Sequence, residues 1–279
     1  MKNKCLADMG VRGLKTPITF YGGKQNIADW IISHFPEHEI YVEAFFGGGA
    51  VFWRKNPSEL EVINDTNYFV FNFFNQLRKN YNELRHYVMN CVLDENTNEY
   101  AKEIYKGKRH ASDLEKAWVF WYLSKVSYAS VIGQGFGYDI NSRQRVSKLV
   151  SGKNNFHECL SKRLQGVQVF NKDAIELLKM YDNEKSLFYL DPPYIDRRQG
   201  NYEGYKKEHL RDLLEFLRVT RAKFILSHYH NDLLGSYIEK EGWYVEERQV
   251  RKTAGKFRNQ ETEILVMNYC SGNHQLVLC

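Results

Sequence analysis

Short apolar runs alternate with segments of helical periodicity along most of the chain. The runs are nearly continuous in apolar residues, which is typical of strands buried on both faces of a parallel sheet. The segments between them repeat apolar positions every three to four residues, which predicts amphipathic helices. The predicted strands cover Glu39–Phe46, Leu60–Asn64, Val167–Asn171, Leu187–Leu190, Phe224–Ser227, Trp243–Val250 and Glu263–Tyr269. The predicted helices cover Gln25–His34, Asn67–Val88, Ala174–Tyr181, Lys207–Val219 and Asp232–Lys240.

This alternation predicts an α/β fold with a doubly wound, mostly parallel sheet and a terminal antiparallel hairpin. The alternation stops between about Asn80 and Leu164, where the chain is helical and aromatic. Ser112 to Glu115 has the pattern of a capping box, and the helix it opens carries an apolar stripe that predicts core packing: Leu114, Trp118, Trp121 and Tyr122. We therefore predict a sheet domain of residues 1–79 and 165–279, with a mainly helical domain of residues 80–164 inserted into it.

The composition is compatible with many classes of globular protein, and only a few features of it restrict the function. The 279 residues include 39 basic and 34 acidic side chains, so the net charge of +5 is compatible with a polyanionic partner. No apolar run approaches the length of a membrane helix, and residues 1–17 lack the apolar core of a signal peptide. The five cysteines are scattered and odd in number, which predicts free thiols in a reducing cytoplasm and no structural zinc or other metal site.

The strongest chemical signal is the string Asp191-Pro192-Pro193-Tyr194, which follows a predicted buried strand. Ligands of open α/β sheets bind at this carboxyl edge. The proline nitrogens carry no hydrogen, so the local polar groups are all acceptors, and a flat ring lies beside them. The string suits a flat substrate with an exocyclic amino group, such as a nucleobase, although Asp with Pro is also common turn chemistry.

A second signal is a strand that runs into Gly47-Gly48-Gly49 and then a helix. The turn lacks both the dinucleotide fingerprint and a Walker lysine, and with the acidic Glu43 it favours a cofactor with a cationic or amino-acid-like end. Asp65, about 20 residues further on, is placed to bind ribose hydroxyls or to cap a helix. Asp173 holds the same place one strand later, either for an adenine amino group or as a cap. Lys24 follows two glycines and is either a ligand contact or a solvated lysine.

These motifs, in this order and spacing, resemble the Dam-like (D12 class) DNA adenine-N6 methyltransferases from about Thr16 to Tyr269. The resemblance implies a Rossmann-like fold, S-adenosylmethionine as cofactor, and an inserted lobe at residues 80–164 that reads double-stranded DNA. It departs from the usual family pattern at Ala44, Phe46 and Ala174, and Thr19 stands where some members carry a DNA-contacting lysine. The implied cofactor residues are Phe20, Tyr21, Gly22, Gly23, Lys24, Glu43, Phe45, Phe46, Gly47, Gly48, Gly49, Asp65, Thr66, Asp173, Ala174 and Asp191.

The resemblance and the acceptor chemistry together predict direct methyl transfer to the N6 of a flipped-out adenine. Asp191 and the Pro192 carbonyl would each accept one amino hydrogen, and Tyr194 would stack on the base. Alternatives are methylation of RNA, of cytosine N4 or of protein glutamine, and a catalytically silent DNA-binding protein. We expect a cytoplasmic, bacterial or phage-encoded monomer, with or without a restriction partner. Candidate DNA contacts are Gln134, Asn141, Arg143, Arg145, Arg197 and Arg198.

Overall fold

A computed structural model of the protein describes residues 14–20, 22–127, 142–195, 205–251 and 260–271. Its internal contacts divide the chain into two compact units. The first unit comprises Met1–Gln25, Gly47–Asn56 and Asp65–Asn171, and the second comprises Asn26–Phe46, Pro57–Asn64 and Lys172–Cys279. The predicted insertion of residues 80–164 lies wholly within the first unit, which also includes the glycine turn and Asp65.

The described part of the chain contains both strands and helices. The strands are β1 (Ile40–Glu43), β2 (Leu60–Asn64), β3 (Gln168–Phe170), β4 (Ser186–Leu190), β5 (Lys223–Tyr229), β6 (Tyr244–Arg251) and β7 (Gln260–Met267). The helices are α1 (Ala28–Ile32), α2 (Ala50–Arg54), α3 (Tyr68–Lys79), α4 (Tyr81–Asn90), α5 (Glu95–Tyr105), α6 (Asp113–Val126), α7 (Ser142–Asn154), α8 (Glu158–Leu164), α9 (Ala174–Met180), α10 (Lys207–Val219) and α11 (Asp232–Glu241).

The second unit contains a mixed sheet whose strands follow the order β2-β1-β4-β5-β7-β6. Strand β1 pairs in parallel with both β2 and β4, and β4 pairs in parallel with β5. Strand β7 runs antiparallel to β5, and β6 runs antiparallel to β7. The mostly parallel α/β fold with an antiparallel end is therefore confirmed. Because β1 has β2 on one side and β4 on the other, the carboxyl ends of β1 and β4 form a switch point in strand order, where such sheets bind ligands.

The first unit is mainly helical and is organised around α6. The capping box predicted from the sequence is present, because Ser112 Oγ accepts a hydrogen bond from Glu115 N and Glu115 Oε2 accepts one from Ser112 N. Every residue from Ala117 to Val126 is buried, since α6 packs against α3, α4, α5 and α7. The apolar stripe predicted from the sequence therefore lies in a core, except for Leu114, which is only half-buried.

Several predicted element boundaries are wrong. The long helix predicted for Asn67–Val88 is two helices, because Asn80 leaves the helical region (φ −127°, ψ 45°) and its side chain bonds Gln76 Oε1. Strand β1 ends at Glu43 rather than at Phe46, and α1 begins at Ala28 rather than at Gln25. Strand β7 begins at Gln260 and ends at Met267, which shifts the terminal hairpin by two to three residues.

The cysteine prediction also needs correction. Cys91 and Cys270 are free, but Cys159 forms a disulfide bond. Scattered spacing in the sequence says nothing about which sulfur atoms the fold brings together, so the prediction of free thiols is wrong for Cys159. Among the helices of the described ranges, none combines the length and the apolar character needed to cross a bilayer.

The buried amide of Asn64 joins three backbone segments of the second unit. Its Nδ2 donates to the carbonyls of Ala44 (3.0 Å) and Lys172 (3.1 Å), and its Oδ1 accepts from Lys172 N (2.9 Å). We predict that Asn64→Ala lowers the free energy of unfolding by about 2–4 kcal/mol, because it leaves buried backbone groups without partners. Urea denaturation measures this. The neighbouring exposed residue provides the control, Thr66→Ala, and an equal effect of both substitutions would contradict the assignment.

Candidate active site

The glycine turn of the first unit is shaped by close packing against Phe20. Gly47 and Gly49 have positive φ angles of 47° and 65°, a conformation that favours glycine. A Cβ on Gly47 would lie 2.9 Å from the Phe20 ring, and one on Gly48 would lie 3.2 Å from Phe20 Cβ. Thr16 Oγ1 holds the same turn by donating to the Gly48 carbonyl. The glycines are thus required by the packing of Phe20 as well as by the turn itself.

Asp65 lies beneath this turn, with 8% of its surface exposed. Its Oδ2 accepts a hydrogen bond from Gly47 N and its Oδ1 accepts one from Asn67 N, both at 2.8 Å. Burial raises the pKa of Asp65 to about 6, and the two backbone hydrogen bonds offset only part of that effect. Each carboxylate oxygen retains a second lone pair, so the group is suited to accept hydrogen bonds from ligand hydroxyls. Thr66 beside it is exposed.

The segment around Lys24 also belongs to the first unit. Lys24 is buried, with 6% of its surface exposed, and its Nζ lies 3.5 Å from the carbonyl oxygen of Gly22. Gly22 has a φ of 74°, and Gly23 is held by a hydrogen bond from its backbone N–H to the carbonyl of Phe20. The lysine is therefore a desolvated cation rather than the solvated one that the alternative interpretation required. Tyr21 lies outside the described residues.

In the second unit, Glu43 ends β1 at the switch point of the sheet. It has 2% of its surface exposed, and its Oε2 accepts a hydrogen bond of 2.7 Å from the Tyr41 hydroxyl. Burial and the charge of Glu43 raise the pKa of Tyr41 well above its usual value. Phe46 is also buried, and its N–H donates to the Asn64 carbonyl. A buried carboxylate at this edge of the sheet favours a cationic group.

Asp173 and Ala174 begin α9 in the same unit. Asp173 Oδ1 accepts hydrogen bonds from Ile175 N (2.9 Å) and Glu176 N (3.1 Å), so the capping role that the sequence allowed is present. Ala174 is buried. A residue that sequence reasoning missed lies nearby: Tyr205, whose ring centroid is 6.1 Å from that of Phe45. Burial and the charge of Asp173 raise the pKa of Tyr205.

The hydroxyl of Tyr205 is buried and has no hydrogen-bond partner within the described ranges. A buried hydroxyl without a partner is costly, and a polar ligand group would satisfy it. Nothing in the local sequence marks this residue, because its role depends on the distant residues Phe45 and Asp173.

Asp191 follows β4, the strand between β1 and β5, in which every residue is buried. Asp191 itself is half-buried, whereas Pro192 and Tyr194 are buried and Pro193 is half-buried. The Tyr194 hydroxyl lies 3.2 Å from Asp191 Oδ1 and 2.9 Å from Oε1 of Glu263. Asp191 thus presents a partly exposed carboxylate at the end of a buried strand.

The Tyr194 ring is enclosed more than its sequence suggested. It packs edge-on against the rings of His228 and Tyr229, with centroid distances of 4.9 and 4.6 Å. Burial raises the pKa of the Tyr194 phenol well above its usual value, and the charges of Asp191 and Glu263 raise it further. The neutral hydroxyl is therefore a hydrogen-bond donor at any physiological pH.

Most of the candidate DNA contacts lie outside the residues that the structure describes. Gln134, Asn141, Arg197 and Arg198 lie outside the described residues, as does the side chain of Arg143, which belongs to α7. Arg145 on α7 is half-buried. In the described ranges, no group of three or more His, Cys, Asp or Glu side chains is arranged to hold a metal ion.

Lys125 near the end of α6 is a cation that sequence reasoning missed. Only 7% of its surface is exposed, and its Nζ lies 3.4 Å from Thr19 Oγ1. Burial, together with the charge of Lys148, lowers the pKa of Lys125 to about 8. None of the described carboxylates forms an ion pair with it. An anion bound here would compensate the buried charge.

Comparison with known proteins gives a consistent family. Residues 20–251 match the family described as D12 class N6 adenine-specific DNA methyltransferase. The chain is 25% identical to the Type II methyltransferase M1.LlaDCHI of Lactococcus lactis subsp. cremoris, over 89% of this chain and 93% of that protein. It is 24% identical to Modification methylase LlaI of Lactococcus lactis subsp. lactis, over 91% of this chain and 43% of that protein.

A third relative matches a shorter part of the sequence. The DNA N-6-adenine-methyltransferase of Escherichia phage P1 is 30% identical over 37% of this chain and 14% of that protein. All three relatives are named as methyltransferases or methylases. This chain spans less than half the length of two of them.

The raised pKa of Asp65 gives a direct prediction. Titration followed by NMR of side-chain carboxyl carbons should give Asp65 a pKa of about 6 instead of the usual 3.8. Because the folded state then holds this proton more tightly than the unfolded chain, the contribution of Asp65 to stability is complete below about pH 4 and is lost as the pH rises through about 6. The spectrum of Asp65→Asn identifies the resonance, and a midpoint near 4 would contradict the burial argument.

Proposed function

Because the chain belongs to the D12 class N6 adenine-specific DNA methyltransferase family, we propose that Asp191 and the Pro192 carbonyl activate the amino group of the target adenine. The reaction of the family is the transfer of a methyl group from S-adenosylmethionine to adenine N6 in DNA. The observation that carries the proposal is the position of Asp191, a half-exposed carboxylate at the end of a fully buried strand at the switch point of the sheet.

The residues present fit S-adenosylmethionine. In the first unit, the buried carboxylate of Asp65 is suited to the ribose hydroxyls, and Phe20, Lys24 and Gly47 are proposed to hold the methionine end. In the second unit, the buried Tyr205 hydroxyl without a partner, beside Asp173 and Phe45, is suited to the polar edge of adenine. The further proposed cofactor contacts are Gly22, Gly23, Glu43, Phe46, Gly48, Gly49, Thr66 and Ala174.

S-adenosylmethionine supplies an electrophilic methyl group on a positively charged sulfur. The residues of the chain act on the acceptor nitrogen, whose lone pair is delocalised into the adenine ring. Asp191 accepts one amino hydrogen and the Pro192 carbonyl accepts the other, which favours a tetrahedral nitrogen with an available lone pair. Asp191 also stabilises the positive charge that develops on nitrogen, and its carboxylate is placed to take the proton that nitrogen loses.

The target base is buried in a duplex, so we propose that it is flipped out before transfer. Tyr194 contributes a ring beside the flipped base, in the position fixed by His228 and Tyr229. We propose that residues 80–164 of the helical unit read the DNA sequence. The bacterial and phage sources of the relatives support a cytoplasmic location.

The test is methyl transfer from labelled S-adenosylmethionine to unmethylated duplex DNA, followed by nucleoside analysis. Wild type should form N6-methyladenine, and Asp191→Asn should reduce kcat by about a hundredfold or more, because it removes a charged acceptor from the transition state. Asp232→Asn, an exposed carboxylate in α11 of the same unit, is the matched control and should leave kcat unchanged. Label in cytosine, no label in DNA, or a fully active Asp191→Asn protein would contradict the proposal.

We also propose that Lys125 contacts a DNA phosphate. It precedes the candidate base readers Gln134 and Asn141 by nine and sixteen residues in the sequence, and a phosphate would compensate its buried charge. Lys125→Met should make the slope of log Kobs against log salt less steep by about 0.9, the value for one phosphate contact. Lys162→Met removes an exposed lysine that pairs with Glu158 and should not change the slope. Equal slopes for wild type and Lys125→Met would rule out the contact.

A further inference from the structure

We propose that Glu263 is a positioning residue for the adenine acceptor site, and that it keeps the Tyr194 hydroxyl from donating to Asp191. The inference rests on the role proposed above for Asp191. Glu263 lies on β7, at the opposite end of the sequence from the glycine turn. The segment Glu263-Ile264-Leu265 resembles the closing pattern of the family, but the sequence gives Glu263 no role.

Glu263 is a buried carboxylate with 2% of its surface exposed. Its Oε1 accepts a hydrogen bond of 2.9 Å from the Tyr194 hydroxyl and one of 2.6 Å from Ser227 Oγ. Burying a carboxylate is costly unless such donors compensate the loss of water. A buried apolar residue would avoid this cost, so the carboxylate at this position suggests a role beyond packing.

The Tyr194 hydroxyl has one hydrogen and two carboxylate neighbours. It lies 3.2 Å from Asp191 Oδ1 but 2.9 Å from Glu263 Oε1, so the shorter and stronger bond is to Glu263. A hydrogen directed at Asp191 would use one of its lone pairs and partly neutralise its charge. Asp191 would then be a weaker acceptor for the amino group. Glu263 takes this hydrogen at the shorter distance, so the tyrosine does not weaken Asp191 as an acceptor.

The surrounding strands fix this arrangement. Strand β5 supplies Ser227, which donates to Glu263, and it supplies the rings of His228 and Tyr229, which enclose the Tyr194 ring. Strand β7 runs antiparallel to β5 with Glu263 opposite Tyr229. The tyrosine therefore cannot turn its hydroxyl away from both carboxylates without displacing these neighbours, and the choice between the two acceptors depends on their relative strength.

The test is a double-mutant cycle with Glu263→Gln and Tyr194→Phe, measured as kcat for methylation of duplex DNA. Glutamine keeps the shape of Glu263 but is a weaker acceptor, so Glu263→Gln alone should lower kcat by about tenfold or more. Without the tyrosine hydroxyl there is no hydrogen to redirect. In the Tyr194→Phe background the same replacement should therefore change kcat by less than about threefold, which is a strongly non-additive result.

Binding gives a second readout that does not depend on turnover. Duplexes with adenine or with unsubstituted purine at the target position differ only in the exocyclic amino group, from which Asp191 is proposed to accept a hydrogen bond. The wild-type preference for adenine over purine should shrink in Glu263→Gln and should be restored when Tyr194→Phe is added. Glu263→Asp, which keeps the charge but withdraws the acceptor from Tyr194, should behave like Glu263→Gln and serves if that variant does not fold.

Glu261→Gln makes the same chemical change two residues earlier on β7 and should keep wild-type kcat. Wild-type kcat in both Glu263 variants would overturn the inference, as would equal effects with and without the tyrosine hydroxyl, which indicate a purely structural role. These results require an active wild-type enzyme. A wild type that does not methylate adenine in DNA overturns the proposed function, and this inference with it.

Discussion

A carboxylate that leaves water must find hydrogen-bond donors inside the protein, and this constraint shapes both units of the chain. In the first unit, Asp65 takes backbone N–H groups from Gly47 and Asn67, so the glycine turn and the start of α3 are tied to one side chain. In the second unit, Glu43 and Glu263 take hydroxyl hydrogens from tyrosine and serine. A ligand can form hydrogen bonds only with the polar groups that these internal hydrogen bonds do not use.

The parallel sheet explains why acidic groups collect at the switch point. Strand β4 pairs with β1 and β5, and its side chains are buried throughout. The first position at which it can expose a polar side chain is the residue after its end, which is Asp191. The two prolines that follow cannot donate backbone hydrogen bonds, so they neither extend the sheet nor compete for the acceptor oxygens. An amino group is the substrate chemistry that complements such a set.

The sequence predicts the sheet, the motifs and their chemistry because these depend on local pattern. Buried parallel strands appear in the sequence as apolar runs, and amphipathic helices appear as apolar positions every three to four residues. The strand predicted at Leu60–Asn64 and the helix predicted at Lys207–Val219 both agree with the structure at both ends. The break at Asn80 was missed because it lies in the backbone angles of a single residue, which the pattern of apolar positions does not show. Lys125 and Tyr205 were missed, and Glu263 was given no role, because their roles depend on tertiary contacts. The bond from Tyr194 to Glu263 joins residues 69 positions apart, a separation at which periodicity carries no information.

A motif that is present in the sequence also needs tertiary contacts before its residues can act. Asp191, Pro192 and Tyr194 supply an acceptor carboxylate, an acceptor carbonyl and a ring, yet the tyrosine also brings a hydroxyl hydrogen within 3.2 Å of the carboxylate that must remain an acceptor. A phenylalanine would avoid that conflict but would leave the buried Glu263 with one fewer donor. A second carboxylate removes the conflict without removing the tyrosine, because it takes the hydrogen at a shorter distance. The proposed role of this string therefore depends on a strand that lies far from it in the sequence.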